Sequence, residues 1–418
     1  MSSLLNTRIG FFLAVRQIKR SSKWTTGLIV AVMILTSLNL IVVSGILVGL
    51  IQGAIDAVRT HYTSDVIIST LNNKTYIENT PEIMNILRGL PGIETVAPRY
   101  LKGATLEANY KTRVKDTDKP NTAGGNIAGI DPIAEDKVTD LSRFVVEGSY
   151  LEPGDYDQIL VGSYLIKKYQ PFESPGFTAL NDVEPGTKIR IMVGDVEREV
   201  TVKGIIKSKV DEVSFRSFMV DSQFRSMIGR GDYNASEIAI KLKPGADPET
   251  VRDALLRNGV GTVAKVQTYA DAQPKFIKDL VATFALLGNM ISSIGLVVAS
   301  ITIFIVIFIN AITRRKFIGI LKGIGVNGKA IEISYVFQSI FYAVIGSVIG
   351  VALVYLVIQP FFAAHPINFP FSDGILVAPF GGTMARTGLL VFTTIVAGYI
   401  PARMIVRKNT LDSILGRK

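Results

Sequence analysis

The residues that decide the fold are TRRKFIGILKGIGVNGKAIEIS, from Thr313 to Ser334. They lie between two long segments without charged residues, 280–312 and 333–360, each of which is long enough to cross a lipid bilayer as a helix. The stretch opens with three adjacent cations and then alternates apolar residues with glycines. A basic, partly helical connector between two membrane spans predicts a cytoplasmic segment that contacts a partner protein.

Two further apolar segments complete the predicted set of membrane helices. Residues 24–55 contain no charged side chain, whereas the last segment is shorter and contains Pro401 and Arg403. A spanning helix needs about 20 predominantly apolar residues. We therefore predict four membrane spans, at 24–55, 280–312, 333–360 and 386–406.

The positive charge of the chain is concentrated beside these spans. The formal net charge is +10, yet residues 1–54 carry five cations and no carboxylate, and residues 281–418 carry eleven cations against three carboxylates. Residues 55–280 are therefore slightly acidic. Basic clusters beside membrane spans, rather than on a soluble face with interleaved aromatic residues, argue against nucleic acid as a partner.

The positive-inside rule predicts the orientation, because Lys and Arg near span ends stay in the cytoplasm. The N-terminus, the connector and the C-terminus are basic, whereas the loop at 361–385 has neither Lys nor Arg. The predicted order is a cytoplasmic amphipathic helix at 1–23, the first span at 24–55, an extracytoplasmic domain at 56–279, the second span at 280–312, the cytoplasmic connector at 313–332, the third span at 333–360, an extracytoplasmic loop at 361–385, the fourth span at 386–406 and a cytoplasmic tail at 407–418.

The segment at 56–279 is predicted to be an α+β domain of two subdomains. In KIRIMVGDVEREVTVKGII, at 188–206, apolar residues alternate with other residues on both sides of a turn, which is the pattern of a β-hairpin. We expect residues 65–110 and 200–275 to form one subdomain and residues 111–199 to form an inserted, more β-rich one.

Two segments of the insert carry local patterns of their own. Residues 115–126, KDTDKPNTAGGN, are polar and contain glycine, which predicts a loop. Residues 162–169 predict a helix. The chain has no cysteine, so the domain must fold without disulfides, which its length of about 220 residues allows.

No catalytic or metal-binding pattern rises above background in this sequence. The two histidines, His61 and His365, have no partner at ligand spacing, and neither HExxH nor GxSxG occurs. The nearest approach to a phosphate-binding loop, GIGVNGKA at 323–330, has Ala330 in place of the Ser or Thr that holds magnesium. We therefore predict a non-catalytic chain that itself binds no cofactor and no metal.

The connector and both termini together resemble the FtsX-like permease superfamily, the membrane subunits of MacB-type and lipoprotein-releasing ABC transporters. RRKFIGILKGIG is similar to the superfamily pattern R-x-x-E-I-G-I-L-K-A-I-G-A, with Phe317 in place of the glutamate, and a Gln338–Ser339 step follows. AVRQIKRSSKWTT, at 14–26, and YIPARMIVRKNTLDSIL, at 399–415, resemble the segments that open and close the superfamily. GIDPIAEDKV, VVEGSYL, ILVGSYL and VEPGTKI resemble the outer domains of its MacB and lipoprotein-releasing members.

The resemblance implies partners that this chain does not itself supply. They are a cytoplasmic ABC ATPase dimer that binds ATP and magnesium, a second permease subunit (identical or different), the lipid bilayer, and a lipoprotein or another amphiphilic substrate. The resemblance also implies that ATP-driven motion is relayed to the outer domain of a membrane protein and that substrate does not pass through a pore. The residues expected to contact the ATPase are Arg314, Arg315, Phe317, Gly319, Lys322, Gly323 and Gly325.

Small residues within the spans predict close packing of helices. Gly346 and Gly350 lie four residues apart in the third span, and Gly295 lies in the second. Such spacing lets two helix backbones approach each other closely. The helix that they contact is either another helix of the same chain or a helix of a second permease subunit.

Two classes of function fit these features. The first is an export permease that extracts a lipoprotein, a lipid or an amphiphilic compound at the outer face of the membrane. The second is a cell-division-type regulator that activates a cell-wall hydrolase without transport. An outer domain of more than 200 residues favours the first class. Within it, lipoprotein release and drug or peptide efflux both stay open, and the outer-domain motifs favour lipoprotein release modestly.

Overall fold

A computed structural model of the chain describes residues 2–111, 120–170, 178–273, 275–365 and 376–407. These residues form two compact units. The helical unit comprises residues 2–52, 279–365 and 376–407, and the α/β unit comprises the described residues of 53–278. The α/β unit is thus formed from the end of the first apolar helical stretch and the segment between it and the second.

The α-helices are, in chain order, α1 (Ser2–Arg20), α2 (Lys23–Val58), α3 (Thr80–Gly89), α4 (Pro132–Thr139), α5 (Asp211–Ser214), α6 (Asp221–Met227), α7 (Pro248–Arg257), α8 (Lys275–Thr313), α9 (Arg315–Gly323), α10 (Gly328–Leu353), α11 (Gln359–Ala364) and α12 (Phe380–Val406). Two π-helical segments, Arg59–Thr63 and Val354–Ile358, follow α2 and α10 directly. The second of them joins α10 to α11.

Four of these helical stretches are long and apolar enough to cross a membrane. They are Lys23–Thr63, Ile277–Thr313, Gly328–Ala364 and Phe380–Val406. The predicted architecture, four apolar helices with a large mixed domain between the first and the second, is confirmed. The positions along the helices at which the bilayer begins and ends stay a prediction.

The fourth helix is less interrupted than its sequence indicates. Pro401 lies inside α12 and does not end it. Proline removes one backbone hydrogen bond, and α12 packs against α10 on the side where Pro401 and Ala402 are buried. The helix also begins at Phe380, so the last residues of the predicted extracytoplasmic loop at 361–385 are helical. The predicted tail at 407–418 lies outside the described residues after Arg407.

The strands of the α/β unit are β1 (Val66–Ser69), β2 (Ile93–Glu107), β3 (Thr122–Ile130), β4 (Val145–Gly148), β5 (Gln158–Gly162), β6 (Lys188–Val193), β7 (Val196–Ile206), β8 (Arg216–Val220), β9 (Glu237–Leu242) and β10 (Lys265–Thr268). Their order in the sheet is β10-β1-β9-β2-β3-β8-β5-β7-β4, and β6 pairs with β2 and β7. The pairing of β6 with β7 confirms the predicted hairpin.

The long strand β2 belongs to both halves of this sheet. Its first half, Ile93–Arg99, pairs with β9, and its second half, Tyr100–Glu107, pairs with β3. Buried side chains from both halves form one continuous hydrophobic core. The two predicted subdomains therefore share a strand and a core.

Residues 200–220 pair with the inserted half of the sheet, in contrast to the predicted boundary at residue 200. Strand β7 pairs with β4, β5 and β6, and β8 pairs in parallel with β3. The physical reason is the β6–β7 hairpin, which carries the chain across residue 200 without leaving that half of the sheet.

Two local predictions in the insert were wrong. Residues 122–126 of the predicted loop at 115–126 begin strand β3, while residues 115–119 lie outside the described residues. The helix predicted at 162–169 is instead two short 3₁₀ turns, Ser163–Leu165 and Lys167–Tyr169. A single extended residue, Ile166, separates these turns and pairs with Leu180 in an isolated bridge.

Candidate functional site

The connector folds as a short helix, α9, between the ends of α8 and α10. Helix α9 stops in a glycine-terminated turn: Gly325 has φ +90°, its N–H donates to the Lys322 carbonyl at 3.1 Å, and the Val326 N–H donates to the Leu321 carbonyl at 2.9 Å. This is the Schellman pattern, in which a residue with positive φ lets two orphan carbonyls of the last turn be satisfied. Asn327 then caps α10, because its Oδ1 accepts from the Lys329 N–H at 3.0 Å.

We expect Gly325→Ala to destabilise this turn by about 1–2 kcal/mol, because a side chain is disfavoured at positive φ. Hydrogen exchange of the amides of residues 324–327 in the purified protein should then quicken roughly tenfold. Gly323→Ala is the matched control: a Cβ there meets no atom within 4 Å, and the backbone has no positive φ. Faster exchange in both variants would contradict the assignment of the turn to Gly325.

One face of α9 is apolar and exposed. Phe317, Ile320 and Ile324 are 53 %, 52 % and 73 % exposed, and their spacing of three and four residues places them on the same side of the helix. The opposite side is packed, since Ile318 and Gly319 are buried. We call Phe317, Ile320 and Ile324 the connector apolar face.

A cation ties α9 to the end of the last helix. The Lys322 Nζ donates to the Val406 carbonyl at 3.0 Å. The last carbonyls of a helix lack partners within the helix and carry partial negative charge, so a cation stabilises them. Leu321 and Val326 add apolar contact with the core of the helical unit. Helices α9 and α12 are therefore coupled by packing and by charge.

The N-terminal helix packs against the start of α10. A Cβ built on Gly10 would lie 2.6 Å from the Ile333 Cγ2 and 2.9 Å from the Ala330 carbonyl oxygen, so only glycine allows this approach. The rings of Phe11 and Phe337 meet edge to face at 5.4 Å. The predicted amphipathic helix is present, and one of its faces is held by another helix of the chain.

Three buried or half-buried amides connect three helices at this end of the helical unit. The Gln338 Nε2 on α10 donates to the Gln17 Oε1 on α1 at 2.5 Å. The Asn310 Nδ2 on α8 is 3.5 Å from the Gln338 Oε1. Gln338 is 1 % exposed, so these bonds form away from water, where an unmade one is costly.

The α/β unit contains a second constellation, a buried charge network around the end of the first long helix. Arg99 on β2 donates to both carboxylate oxygens of Glu135 on α4, from Nε at 2.9 Å and from Nη2 at 2.7 Å. Arg216 on β8 donates from Nη1 to Glu237 on β9 at 3.1 Å. The Arg99 Nη1 is 3.5 Å from the Glu237 Oε2, which joins the two pairs.

This network holds Tyr62, in the π-helical segment that follows α2. The Arg99 Nη2 donates to the Tyr62 carbonyl at 2.8 Å, and the Tyr62 hydroxyl donates to the Glu237 Oε1 at 2.9 Å. Both guanidinium groups lie over its ring, at 5.5 Å for Arg99 and 5.2 Å for Arg216. The carbonyl, the ring and the hydroxyl of Tyr62 are thus all held by residues of the α/β unit.

Each charge of the network stabilises the opposite one against the cost of burial. Burial alone would raise the pKa of the Glu237 carboxyl, but Arg216 and Arg99 hold that pKa below its ordinary value. Burial opposes the charged form of Arg99, yet Glu135 and Glu237 raise its pKa. The side chains of Arg99 and Glu135 are each 2 % exposed. The buried Arg99 and Glu237 are therefore each stabilised in the charged form by oppositely charged neighbours.

Family models match two parts of this chain. The MacB-like periplasmic core domain matches residues 26–258, and the FtsX-like permease C-terminal region matches residues 289–410. The chain belongs to the MacB-like, FtsX-type permease family. The predicted resemblance is thereby confirmed.

Similar proteins include permeases of bacteria and archaea. This MacB-like permease is 25 % identical over 239 residues to an uncharacterised ABC transporter permease of Methanocaldococcus jannaschii, covering 54 % of this chain and 58 % of that one. It is 25 % identical over 253 residues to the macrolide export ATP-binding/permease protein MacB of Escherichia coli, covering 58 % of this chain and 36 % of that one. The chain therefore spans less than two thirds of the length of these relatives.

A solved structure, the periplasmic region of MacB from Actinobacillus actinomycetemcomitans, is also similar. The comparison covers 51 % of this chain and 92 % of that one, with a TM-score of 0.36 and 16 % identity.

The residues of the MacB-like permease that were predicted to contact an ATPase occupy different environments. Phe317, Gly323 and Gly325 are exposed, and Arg314 and Arg315 are half-buried. Gly319 is buried against the helical unit, and Lys322 is held by Val406. Contact with an ATPase stays a prediction for all seven.

The three packing glycines all lie against α2 of the same chain. A Cβ on Gly346 would lie 2.4 Å from the Met33 Cβ, and a Cβ on Gly350 would lie 2.7 Å from the Ser37 Oγ. A Cβ on Gly295 would lie 3.1 Å from the Asn39 Oδ1.

The sequence analysis predicted neither the hydrogen-bonded amides of Gln17, Asn310 and Gln338 nor the buried charge network. The signal for Gln338 was present, since it is a lone amide in an apolar run. The signal for Arg99 was a lone cation within TVAPRYL, at 95–101, which is otherwise uncharged. Nothing in the sequence indicated their partners.

Proposed function

We propose that this chain is the permease of an ABC exporter of the MacB type, driven by a separate cytoplasmic ATPase dimer. The observation that carries the proposal is the connector apolar face on α9. Three apolar side chains that are each more than half exposed, beside a run of cations, form a surface suited to a protein partner. The N-terminus, the connector and the C-terminus are on the cytoplasmic side in this proposal.

The ATPase would move α9, and α9 would move the helices to which it is tied. A nine-residue helix has little stability by itself, so α9 keeps its shape through the turn at Gly325, the Lys322–Val406 bond and the packing of Ile318. A displacement of α9 therefore reaches α10 and α12. The hydrogen-bonded amides of Gln338, Gln17 and Asn310 extend the same connection from α10 to α1 and α8.

The first long helix offers a route from the helical unit to the α/β unit. The helical stretch Lys23–Thr63 begins in the first and ends in the second. Its last residues are fixed by the charge network of Arg99, Glu135, Arg216 and Glu237. Movement of this helix would be delivered to strands β2, β8 and β9. A second permease subunit, identical or different, would double the arrangement about the ATPase dimer.

We propose an amphiphilic substrate, handled at the outer face of the inner membrane. The relatives named as macrolide exporters support an amphiphilic compound, and a lipoprotein or a lipid has the same amphiphilic character. Lipoprotein release and activation of a cell-wall hydrolase remain alternatives that the experiment below separates.

Ile320→Asp should uncouple the ATPase. Burying a carboxylate in the docking surface should weaken association at least tenfold, as expected for the loss of a central apolar contact. The measurement is ATP hydrolysis by the protein reconstituted in lipid with its ATPase. Ile133→Asp is a matched control: Ile133 is 54 % exposed, lies in the first turn of α4, and an acidic residue is tolerated there.

The two variants and the choice of substrate decide between the functions. A lower rate of ATP hydrolysis in Ile320→Asp alone supports docking of the ATPase at α9. Equal rates of ATP hydrolysis in Ile320→Asp and Ile133→Asp would contradict it. Stimulation by a macrolide-like amphiphile supports efflux, and release of an acylated lipoprotein from the outer leaflet supports lipoprotein extraction. If ATP hydrolysis responds to neither the amphiphile nor the lipoprotein, but an added cell-wall hydrolase is activated, the result would favour the regulator over the exporter.

A further inference from the structure

A cavity of about 320 Å³ lies within the helical unit where α2 begins and α8 ends. One part of its wall is polar and is lined by Ser21, Ser22, Thr25, Asn310, Thr313 and Tyr342. The wall therefore offers several hydrogen-bond donors close together at the connector end of the helices.

The polar part of the cavity also contains a cation, Arg314. Its side chain is half-buried, and in the part of the chain that the structure describes no hydrogen bond or ion pair joins the Arg314 guanidinium to another side chain. The described part of the helical unit has two carboxylates, Asp279 and Glu332, and neither lines the cavity. A partly desolvated guanidinium without a carboxylate partner favours an anion from outside the chain.

The helix that begins at the cavity adds to its positive potential. Helix α2 starts at Lys23, directly after the cavity-lining Ser21 and Ser22, and Thr25 of its first turn also lines the cavity. The N-terminus of a long helix carries a partial positive charge and unpaired N–H donors. The guanidinium, the hydroxyls and this helix end together form an environment suited to phosphate.

The other part of the wall is apolar and continues toward the spans. Ile29 on α2 and Val306 and Ile309 on α8 provide it. A free phosphate would leave these side chains uncovered, whereas a phospholipid would place the start of an acyl chain against them. Since the described residues of the wall include no carboxylate, a zwitterionic headgroup is disfavoured, because its ammonium would have no partner there.

We infer that this cavity binds one anionic phospholipid from the leaflet at the connector end of the helices. The phosphate accepts hydrogen bonds from Arg314 and from the hydroxyls of Ser22 and Thr25, and an acyl chain lies along Ile29 and Ile309. The lipid then joins α2 to α8 beside the connector. The inference does not depend on an ATPase, and only the naming of the leaflet as cytoplasmic rests on the proposed function.

The test is native mass spectrometry of the full chain in detergent with equal amounts of phosphatidylglycerol and phosphatidylcholine. The wild-type protein should keep one phosphatidylglycerol per chain in preference to phosphatidylcholine. Arg314→Gln should lower the retained fraction about tenfold to a hundredfold, as the loss of a charge-assisted hydrogen bond predicts. Lys316→Gln, which removes an exposed cation two residues away, should leave it unchanged.

A second variant and a competition with inorganic phosphate complete the test. Thr25→Val keeps the charge and the shape of the cavity and should lower phosphatidylglycerol retention about tenfold, even if Arg314→Gln does not fold. Inorganic phosphate at millimolar concentration should not displace the lipid. Displacement by phosphate would show an anion site without a lipid role. Equal retention in the wild type, Arg314→Gln and Thr25→Val, or equal retention of both lipids, would overturn the inference.

Discussion

Glu135→Ala is expected to lower the free energy of unfolding of the α/β unit by about 3–5 kcal/mol, since it leaves a buried arginine without its main partner. The Arg99 guanidinium makes two hydrogen bonds to Glu135, and both side chains are 2 % exposed. Removal of the carboxylate leaves a charge that water cannot reach. The 3.5 Å contact with Glu237 is too long to replace it.

The measurement is hydrogen exchange of the β2 and β9 amides in the full chain as urea is raised, which reports the opening of the core strands. Glu197→Ala is the control, because Glu197 pairs with Arg190 at the surface and is 56 % exposed. Exposed pairs contribute about 0–1 kcal/mol. A second variant, Arg99→Met with Glu135→Leu, should regain much of the loss, because an apolar pair carries no desolvation cost. Equal effects of Glu135→Ala and Glu197→Ala would contradict the burial of the network.

The loss should also loosen the end of the first long helix. Arg99 donates to the Tyr62 carbonyl as well as to Glu135. Once Arg99 reorients toward another acceptor, that carbonyl loses its donor. We therefore expect faster exchange in residues 59–66 at urea concentrations where β9 is still protected. In the proposed exporter, this variant would separate ATP hydrolysis from substrate release.

The network also shows where sequence reasoning stops. Three apolar segments without charged residues and a shorter fourth segment predicted the four long helices, because length and hydropathy are properties of one contiguous segment. The partners of Arg99 are distant along the chain: Glu135 is 36 residues away, and Glu237 lies on a strand that pairs with β2 only in the folded sheet. Their meeting depends on strand order, which no local pattern reveals.

The prediction of a loop at residues 122–126 was wrong for a related reason. Its glycines indicated a loop, yet a Cβ on Gly125 would lie 3.1 Å from the Phe215 carbonyl oxygen and 3.0 Å from a methyl group of Leu165. Strand β3 is flanked by β2 and β8, and glycine is required there because another backbone comes close. Tertiary packing, rather than a loop, therefore accounts for the glycine at this position.

Gly346→Val is expected to destabilise the helical unit by about 3 kcal/mol, the upper end for overpacking of a well-packed core. A Cβ at this position would lie 2.4 Å from the Met33 Cβ and 3.1 Å from the Met33 carbonyl carbon. The second contact is with backbone, so a change of side-chain rotamer cannot relieve it. Helices α2 and α10 must separate, and Ser37, which lies against Gly350, must lose its contact as well.

The measurement is the thermal midpoint of the detergent-solubilised protein, followed by the fraction that stays monodisperse. Gly388→Val on α12 is the matched control, because a Cβ there meets no atom within 4 Å. The midpoint should fall in Gly346→Val whether or not the protein is associated with a second subunit, since the contact is made inside one chain. A variant that keeps its thermal midpoint but loses only its association would instead place Gly346 between two subunits, which is the other packing that its sequence allowed.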